Sequence, residues 1–322
     1  MTTACYFDPY CIAHYPGPGH SERPARLCEI VNTLSKKSAF KKLQWPAVSP
    51  AKLEDIQLVH TKRYIDFVFS SVPKSGYQKI EVNEVVSEHD DGEVTTLCPQ
   101  SGNAALYAVG AVTAAVDDVM KGKVTNAFCA VRPPGHHAFP DKSMGFCIFN
   151  NVAVGARYAQ KHYGIKRVAI VDFDLHHGNG TQAVFEKDPS VFFCSIHQLP
   201  LWPETGYEQE TGIGNIFNVV TKPNLPRAAW LKRWRQTVLP RLRQEDFDFL
   251  FISAGFDTHK NDQKGCQLLE TQDYFELTAD LLSIARDKCA NRVVTVLEGG
   301  YNARASAASA AAAVKALMRV KK

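Results

Sequence analysis

The sequence predicts a single α/β domain of three layers, in which a mainly parallel central sheet lies between helices. Short, nearly continuous apolar runs are typical of parallel strands buried on both faces. Such runs lie at 127–131, 167–174, 191–197, 247–254 and 292–297. Longer helical patterns separate or precede them, at 104–120, 151–162, 228–243 and 273–288. Strands that alternate with helices predict a parallel sheet covered on both sides.

The rest of the chain fits the same single unit. An Ala-rich stretch at 305–316 predicts a closing helix, because alanine has the highest helix propensity. The stretches 77–92 and 222–226 are predicted to be surface connections. No Gly/Ser-rich or Pro-rich linker divides the 322 residues, so residues 1–322 are predicted to form one domain.

Composition excludes several classes of protein. A formal net charge of +4 does not favour direct nucleic-acid binding. Nine cysteines, an odd number without a CxxC pair, predict reduced thiols in a cytosol-like compartment. The N-terminus lacks the features of a secretory signal, and no segment approaches the roughly 20 apolar residues of a membrane span. We therefore expect a cytoplasmic protein with no membrane partner; the sequence does not predict its oligomeric state.

Polar clusters directly follow the five apolar runs. They are Arg-Pro-Pro-Gly-His-His at 132–137, Asp-Phe-Asp-Leu-His-His at 172–177, His197, Gly-Phe-Asp at 255–257, and Glu-Gly-Gly-Tyr at 298–301. In open α/β sheets, ligands bind outside the carboxyl ends of the strands. We therefore expect these clusters to meet at one edge of the sheet and to form an active site.

A metal site is predicted at Asp174, His176 and Asp257. Side chains alternate along a strand, so Asp172, Asp174 and His176 tend to share one face, where burial is costly without a cation. Three protein ligands leave room for water and substrate, as in a catalytic zinc site, although Fe(II), Co(II) or Mn(II) suit the same ligands. The alternatives are a solvated strand end with a structural ion pair, and a helix N-cap role for Asp257.

Paired histidines and a tyrosine supply the remaining chemistry. His136 and His137 suit a general base and acid near neutral pH, and Asp172 is a candidate partner for one of them. The alternative is a buried pair or a pair of metal ligands. The Tyr301 hydroxyl is placed to donate to a developing oxyanion, although a tyrosine after Gly-Gly is by itself more typical of packing. Asn179 is close enough in sequence to support the pair.

Taken together and in order, RPPGHHA, GFCIFNN, VDFDLHHGNGTQ, SIH, SAGFD and LEGGYN resemble the histone deacetylase family, which has the arginase–deacetylase fold. The resemblance extends from about residue 14 to about residue 302 and includes the segments 20–27 and 59–64. Two features resemble the class II branch and its bacterial relatives. They are the motif RPPGHHA and Asn179, which stands where class I enzymes carry Asp.

The resemblance implies a role for each matching position. Asp174, His176 and Asp257 match the ligands of one catalytic Zn²⁺, and His136 and His137 match the tandem catalytic histidines, supported by Asp172 and Asn179. Tyr301 matches the tyrosine that polarises the substrate carbonyl. The walls of the family's substrate tunnel are matched by Gly145, Phe146 and Trp202. An arginine near the family's acetate-release channel is matched by Arg26.

The resemblance also implies structural K⁺ at two sites. The residues of the first are Asp172, Asp174, His176, Ser195 and Ile196. The second uses backbone carbonyls near Phe185, Asp188 and Val191.

The predicted function is zinc-dependent hydrolysis of the acetyl amide of acetyl-lysine in a protein or peptide, histone or other. One alternative is an acetylpolyamine amidohydrolase, for which the acids at the entrance are Glu88, Asp90, Asp91 and Glu93. Asp91 is also the candidate for binding a peptide backbone. A non-catalytic binding module and an arginase-like binuclear manganese hydrolase fit less well, because the tandem histidines and the Gly-Gly-Tyr segment are intact.

Overall fold

A seven-stranded parallel sheet forms the centre of the computed structural model, which describes residues 2–80 and 94–319. Its strands are β1 (Thr3–Tyr6), β4 (Asn126–Cys129), β5 (Val168–Asp172), β6 (Val191–Gln198), β7 (Ile216–Thr221), β8 (Phe249–Ala254) and β9 (Val293–Leu297). They lie in the order β1-β4-β9-β8-β5-β6-β7, and every pairing is parallel. The predicted fold class is confirmed.

The helices are α1 (Tyr10–Ala13), α2 (Pro24–Lys36), α3 (Leu53–Ile56), α4 (Lys62–Ser71), α5 (Ser101–Met120), α6 (Asn151–Tyr163), α7 (Asn179–Phe185), α8 (Arg227–Arg233), α9 (Leu239–Gln244), α10 (Thr271–Cys289) and α11 (Ala303–Leu317). Helix α5 packs on α6, whereas α11 packs on α10 and α2, so two groups of helices flank the sheet. No helix in the described part of the chain has the length and apolarity needed to cross a membrane.

Burial explains why the apolar runs form the centre of the sheet. Every residue of β4, β5, β8 and β9 is buried, as expected for strands covered on both faces. Strand β7, at the edge of the sheet, has two half-buried residues among four buried ones. The large core lies between the sheet and its helices, and a smaller apolar cluster lies around α4, the start of α5 and a short strand, β3 (Thr95–Leu97), outside the main sheet.

Two predicted elements differ from the structure. The helix predicted at 228–243 is interrupted by a π-helical turn at Trp234–Val238, because Pro240 lacks an N–H and clashes with the preceding turn. Part of the connection predicted at 77–92 is strand β2 (Gln78–Ile80), which pairs antiparallel with β3 (Thr95–Leu97). The predicted entrance acids Glu88, Asp90, Asp91 and Glu93 lie outside the described residues.

Candidate active site

The predicted polar clusters meet at one edge of the sheet because their strands are neighbours. Strand β9 lies between β4 and β8, and β5 lies between β8 and β6. The register places Asp172, the last residue of β5, beside both Ser195 of β6 and Ser253 of β8. The residues that follow these strands therefore lie close together at this edge of the sheet.

Asp174, His176 and Asp257 form a cluster in which one ligand atom of each residue lies within 4.8 Å of the others. The chain leaves β5 after Asp172 and turns, so that Asp174 Oδ1 accepts the backbone N–H of His176 at 2.9 Å. His176 Nδ1 lies 3.2 Å from Asp174 Oδ1 and 3.2 Å from Asp257 Oδ2. All three side chains are buried.

The cluster fits a divalent cation. Asp257 Oδ1 accepts the backbone N–H of Leu175 at 2.9 Å. Asp257 Oδ2 is buried and makes no hydrogen bond within the described part of the chain, although His176 Nδ1 lies 3.2 Å away. Burial, and then the charge of Asp174, raise the pKa of the Asp257 carboxyl to about 7. Two buried carboxylates this close are costly without a compensating positive charge. Two carboxylates and one imidazole are ligands that Zn²⁺ accepts.

The two histidines have different partners. His136 Nδ1 lies 2.9 Å from Asp172 Oδ2, whereas His137 Nδ1 lies 2.8 Å from the side-chain oxygen of Asn179. The two rings are 3.9 Å apart between centroids, and both are buried. One imidazole is therefore held by a carboxylate and the other by a neutral amide.

The different surroundings shift the pKa values of the two rings in opposite directions. Burial opposes a charge on His136, but the carboxylates of Asp172 and Asp174 outweigh it and raise the His136 pKa to about 10. A divalent cation nearby would lower that value, since like charges repel. Burial, and then the charge of His136, hold the pKa of His137 well below its usual value. His137 is thus the neutral imidazole, able to accept a proton.

The loop after β9 joins several of the clusters. The Glu298 carboxylate accepts the backbone N–H groups of Gly135 at 2.7 Å and His136 at 3.2 Å. Gly299 N–H donates to Asp174 Oδ2 at 2.8 Å, and Gly300 has φ +116°, a conformation that favours glycine. The loop that carries Tyr301 is therefore bonded to the histidine turn through Glu298 and to Asp174 through Gly299.

Phe146 and Trp202 have aromatic neighbours at the site, while their role as tunnel walls stays a prediction. The Phe146 ring lies 6.0 Å from the Tyr301 ring, and the Trp202 ring lies 4.7 Å from the ring of His137. Gly145 lies between them at φ +57°, and a Cβ there would collide with the His137 and Trp202 rings. A residue without a side chain is therefore required at the wall.

Arg26 lies beneath the Tyr301 loop in a buried cluster of charges. Its guanidinium donates to the backbone carbonyls of Glu298 at 2.5 Å and of Gly300, and to Glu22 Oε1 at 2.7 Å. Arg132 donates to the same carboxylate, to Oε2 at 2.6 Å and also to Oε1. The structure places Arg26 as a support for the loop; the acetate-channel role stays a prediction.

The residues predicted to bind K⁺ fall in two places. Ser195 and Ile196 lie on β6 next to the end of β5, and Ser195 Oγ lies 2.9 Å from His197 Nδ1. The carbonyls of Phe185, Asp188 and Val191 lie together at the start of β6, where all three accept from the side chain of Asn215. The K⁺ sites stay predictions.

The sequence did not predict the contacts of three buried acids, which are Glu298, Glu22 and Asp262. Glu298 was part of a recognised motif, but its contact with the histidine turn was not predicted. Glu22 lies in the matching segment 20–27 without any signal for a role. Asp262, which accepts the backbone N–H of Tyr301 at 2.6 Å, lies in a polar stretch that resembles any surface loop. Their partners are mostly backbone groups, which leave no pattern in a sequence.

The sequence is similar to that of the histone deacetylase domain and of several known proteins. Residues 20–317 match the histone deacetylase domain. A rice (Oryza sativa subsp. japonica) protein named histone deacetylase 10, chloroplastic, is 34% identical over 96% of this chain and 72% of its own length. A Pseudomonas aeruginosa protein named histone deacetylase-like amidohydrolase is 31% identical over 93% of this chain and 82% of its own length.

A solved structure extends the likeness to three dimensions. The crystal structure of the HDA15 HD domain superposes with a TM-score of 0.88 at 34% sequence identity, over 98% of this chain and 89% of that one. The domain match spans most of the chain and contains the tandem histidines, the carboxylate–histidine cluster at 174, 176 and 257, and the Gly-Gly-Tyr loop. The chain therefore belongs to the histone deacetylase family.

Proposed function

We propose that this protein is a zinc-dependent deacetylase of the class II type that removes the acetyl group from acetyl-lysine side chains of proteins or peptides. The observation that carries the proposal is the position of His137, whose Nδ1 lies 2.8 Å from the side-chain oxygen of Asn179, beside the buried cluster of Asp174, His176 and Asp257. A base next to a site with open metal positions is the arrangement that amide hydrolysis requires.

Asp174, His176 and Asp257 would hold the zinc. The chemistry that a bound Zn²⁺ supplies is polarisation of a carbonyl oxygen and a lower pKa for water. His137 accepts the proton of the attacking water, and the imidazole pair returns a proton to the leaving amine. His136, whose Nδ1 lies 2.9 Å from Asp172 Oδ2, is oriented by that carboxylate. The Tyr301 hydroxyl donates to the acetyl oxygen as it gains charge.

The walls fit a thin, apolar substrate arm. Phe146 and Trp202 lie on either side of Gly145, beside Tyr301 and His137 respectively. The four methylenes of a lysine side chain would lie between the two rings. Lys264 also lies here, with its Nζ 5.6 Å from the Phe146 ring centroid and 5.7 Å from that of Tyr301.

A small-molecule substrate is the second candidate. It is favoured by the similarity to a protein whose name is histone deacetylase-like amidohydrolase. An acetylated polyamine presents the same amide on a methylene chain, so the same residues would act on it.

One comparison separates the two candidates. The ratio kcat/KM is measured for an acetyl-lysine peptide and for N-acetylputrescine with one zinc-loaded preparation, and His137→Ala serves as the inactive control. We expect a preference for the peptide of tenfold or more. A preference for N-acetylputrescine would move the function to small-molecule metabolism, and activity on neither would contradict the proposed deacetylation.

We further propose that the protein works in the cytoplasm on acetylated protein partners. All nine cysteines are free thiols, and most of them are buried, which suits a reducing compartment. Measurement of the distribution of the protein between cell fractions tests this location.

A further inference from the structure

Asn215, at the start of β7, contacts three backbone carbonyls with one nitrogen. Its side-chain Nδ2 lies 2.8 Å from the oxygen of Phe185, 2.9 Å from that of Asp188 and 2.8 Å from that of Val191. A primary amide has two hydrogens to donate, so one nitrogen serves more acceptors than it has protons. Convergent carbonyls of this kind are the usual environment of a bound monovalent cation.

The orientation of this amide is fixed by its other end. Asn215 Oδ1 accepts the backbone N–H of Ile213 at 3.3 Å, so the oxygen faces a donor and the nitrogen faces the three carbonyls. Turning the amide over would place an oxygen against three oxygens. The hydrogen bonds of the site therefore settle which amide atom faces the carbonyls.

The surroundings are also unfavourable for a cation. Arg157 makes an ion pair with the Asp188 carboxylate, and its guanidinium lies 4.8 Å from the centroid of the Phe185 ring. Asp188 Oδ1 accepts the backbone N–H of Ser190 at 2.9 Å. The acid and the guanidinium thus form a neutral pair, so the Asp188 carboxylate does not supply an unpaired negative charge for a cation.

We infer that the side-chain amide of Asn215 takes the place of a structural monovalent cation at these three carbonyls. The amide joins the end of α7 and the start of β6 to β7, as an ion would, and the backbone oxygen of Asn215 accepts Phe193 N–H at 2.9 Å in the same sheet. Because the link is covalent with β7, it does not depend on the K⁺ concentration. The second K⁺ site implied by the family resemblance is replaced by a residue of this chain.

Crystals of the full chain soaked in Tl⁺ test the inference directly. Tl⁺ mimics K⁺ and is located by its anomalous scattering. We expect no anomalous peak among the carbonyl oxygens of Phe185, Asp188 and Val191. A peak there, with the Asn215 side chain rotated away, would overturn the inference.

An isosteric variant tests it in solution. Asn215→Asp replaces the donating nitrogen with an oxygen, so the four oxygens would then require a cation. The melting temperature of this variant should rise with the logarithm of KCl concentration more steeply than that of the wild type, at constant ionic strength set with choline chloride. Equal slopes for the variant and the wild type would contradict the inference.

A matched control lies three residues along the same strand. Asn218 is buried, and its Nδ2 donates to Gln182 Oε1 at 2.8 Å and to the Glu210 carbonyl at 3.2 Å, an ordinary pair of acceptors. Asn218→Asp should lower the melting temperature without an additional dependence on KCl. An equal KCl effect in both variants would show that K⁺ acts on any buried charge on this strand and would also overturn the inference.

Discussion

Asp262 holds the backbone of Tyr301: the carboxylate Oδ2 accepts the Tyr301 N–H at 2.6 Å and the Asn302 N–H at 2.9 Å. Its other oxygen accepts the backbone N–H of Lys264 at 3.0 Å. Asp262 is 7% exposed, so these bonds are shielded from water. The acid therefore fixes the tyrosine loop relative to the segment that follows Asp257.

Asp262→Asn should lower kcat by about one to two powers of ten, because an amide nitrogen would face backbone N–H groups and a charge-assisted bond is worth roughly 1.5–3 kcal/mol. If Asp262 acts through Tyr301, the change should have little further effect in a Tyr301→Phe background. Steady-state kinetics of the two single variants and the double variant measure this coupling, with metal content as the check on the site. Fully additive losses would show that Asp262 acts elsewhere.

Tyr301→Phe should reduce kcat by about 10²–10³-fold, the usual loss when one oxyanion donor is removed. Metal content and melting temperature should stay as in the wild type, since the ring and its packing on Phe146 are kept. Tyr207→Phe, at a tyrosine that is 53% exposed, is the matched control and should be fully active. Full activity of Tyr301→Phe would remove the hydroxyl from the mechanism.

Gly299→Ala should abolish metal binding. A Cβ at Gly299 would lie against Asp257 Oδ2 and Asp174 Oδ2, so the methyl group would occupy the space between two ligands. The metal content of the purified variant, measured by plasma mass spectrometry, should fall to background while the far-UV circular dichroism stays native. Gly102→Ala, in α5 with its nearest contact 3.3 Å away on Phe69, is the control and should retain metal. Normal loading of Gly299→Ala would contradict the proposed ligand set.

Glu22→Gln should destabilise the fold by about 3–5 kcal/mol at pH 7, because Arg26 and Arg132 would lose their buried counter-charge. Burial alone would raise the pKa of Glu22, but the two guanidinium groups outweigh it and hold the pKa well below its usual value. A carboxyl whose pKa is lowered by folding contributes stability above its unfolded pKa, and this contribution is lost as pH falls.

The difference between wild type and Glu22→Gln should therefore narrow by about 1 kcal/mol between pH 7 and pH 4. Urea unfolding at both pH values measures it. Glu54→Gln is the control, because Glu54 and its partner Lys52 are largely exposed, and its effect should stay below about 1 kcal/mol. A difference that is constant over this pH range would contradict the ionised state of Glu22.

The sequence predicted the catalytic edge because its signals are local. Buried parallel strands appear as apolar runs, and the polar residues that end them, such as Asp172 and the Gly-Phe-Asp before Thr258, follow directly in the chain. The π-helical turn that interrupts the helix predicted at 228–243 was not predicted, because the effect of Pro240 depends on how the preceding turn of helix adjusts. Asp262 and Asn215 were missed because their partners are N–H and carbonyl groups, which every residue carries.

The contact of Arg26 with the carbonyls of Glu298 and Gly300 has a consequence for the synthesis of the protein. It joins α2 to a loop that is synthesised more than 270 positions later in the chain. Strand β9, which carries that loop, lies between β4 and β8 in the sheet. A nascent chain on the ribosome therefore holds a gap in its sheet and an unanchored arginine until β9 emerges. Catalytic competence therefore requires that β9 and the Tyr301 loop have been synthesised, so chains that stop before β9 would be inactive.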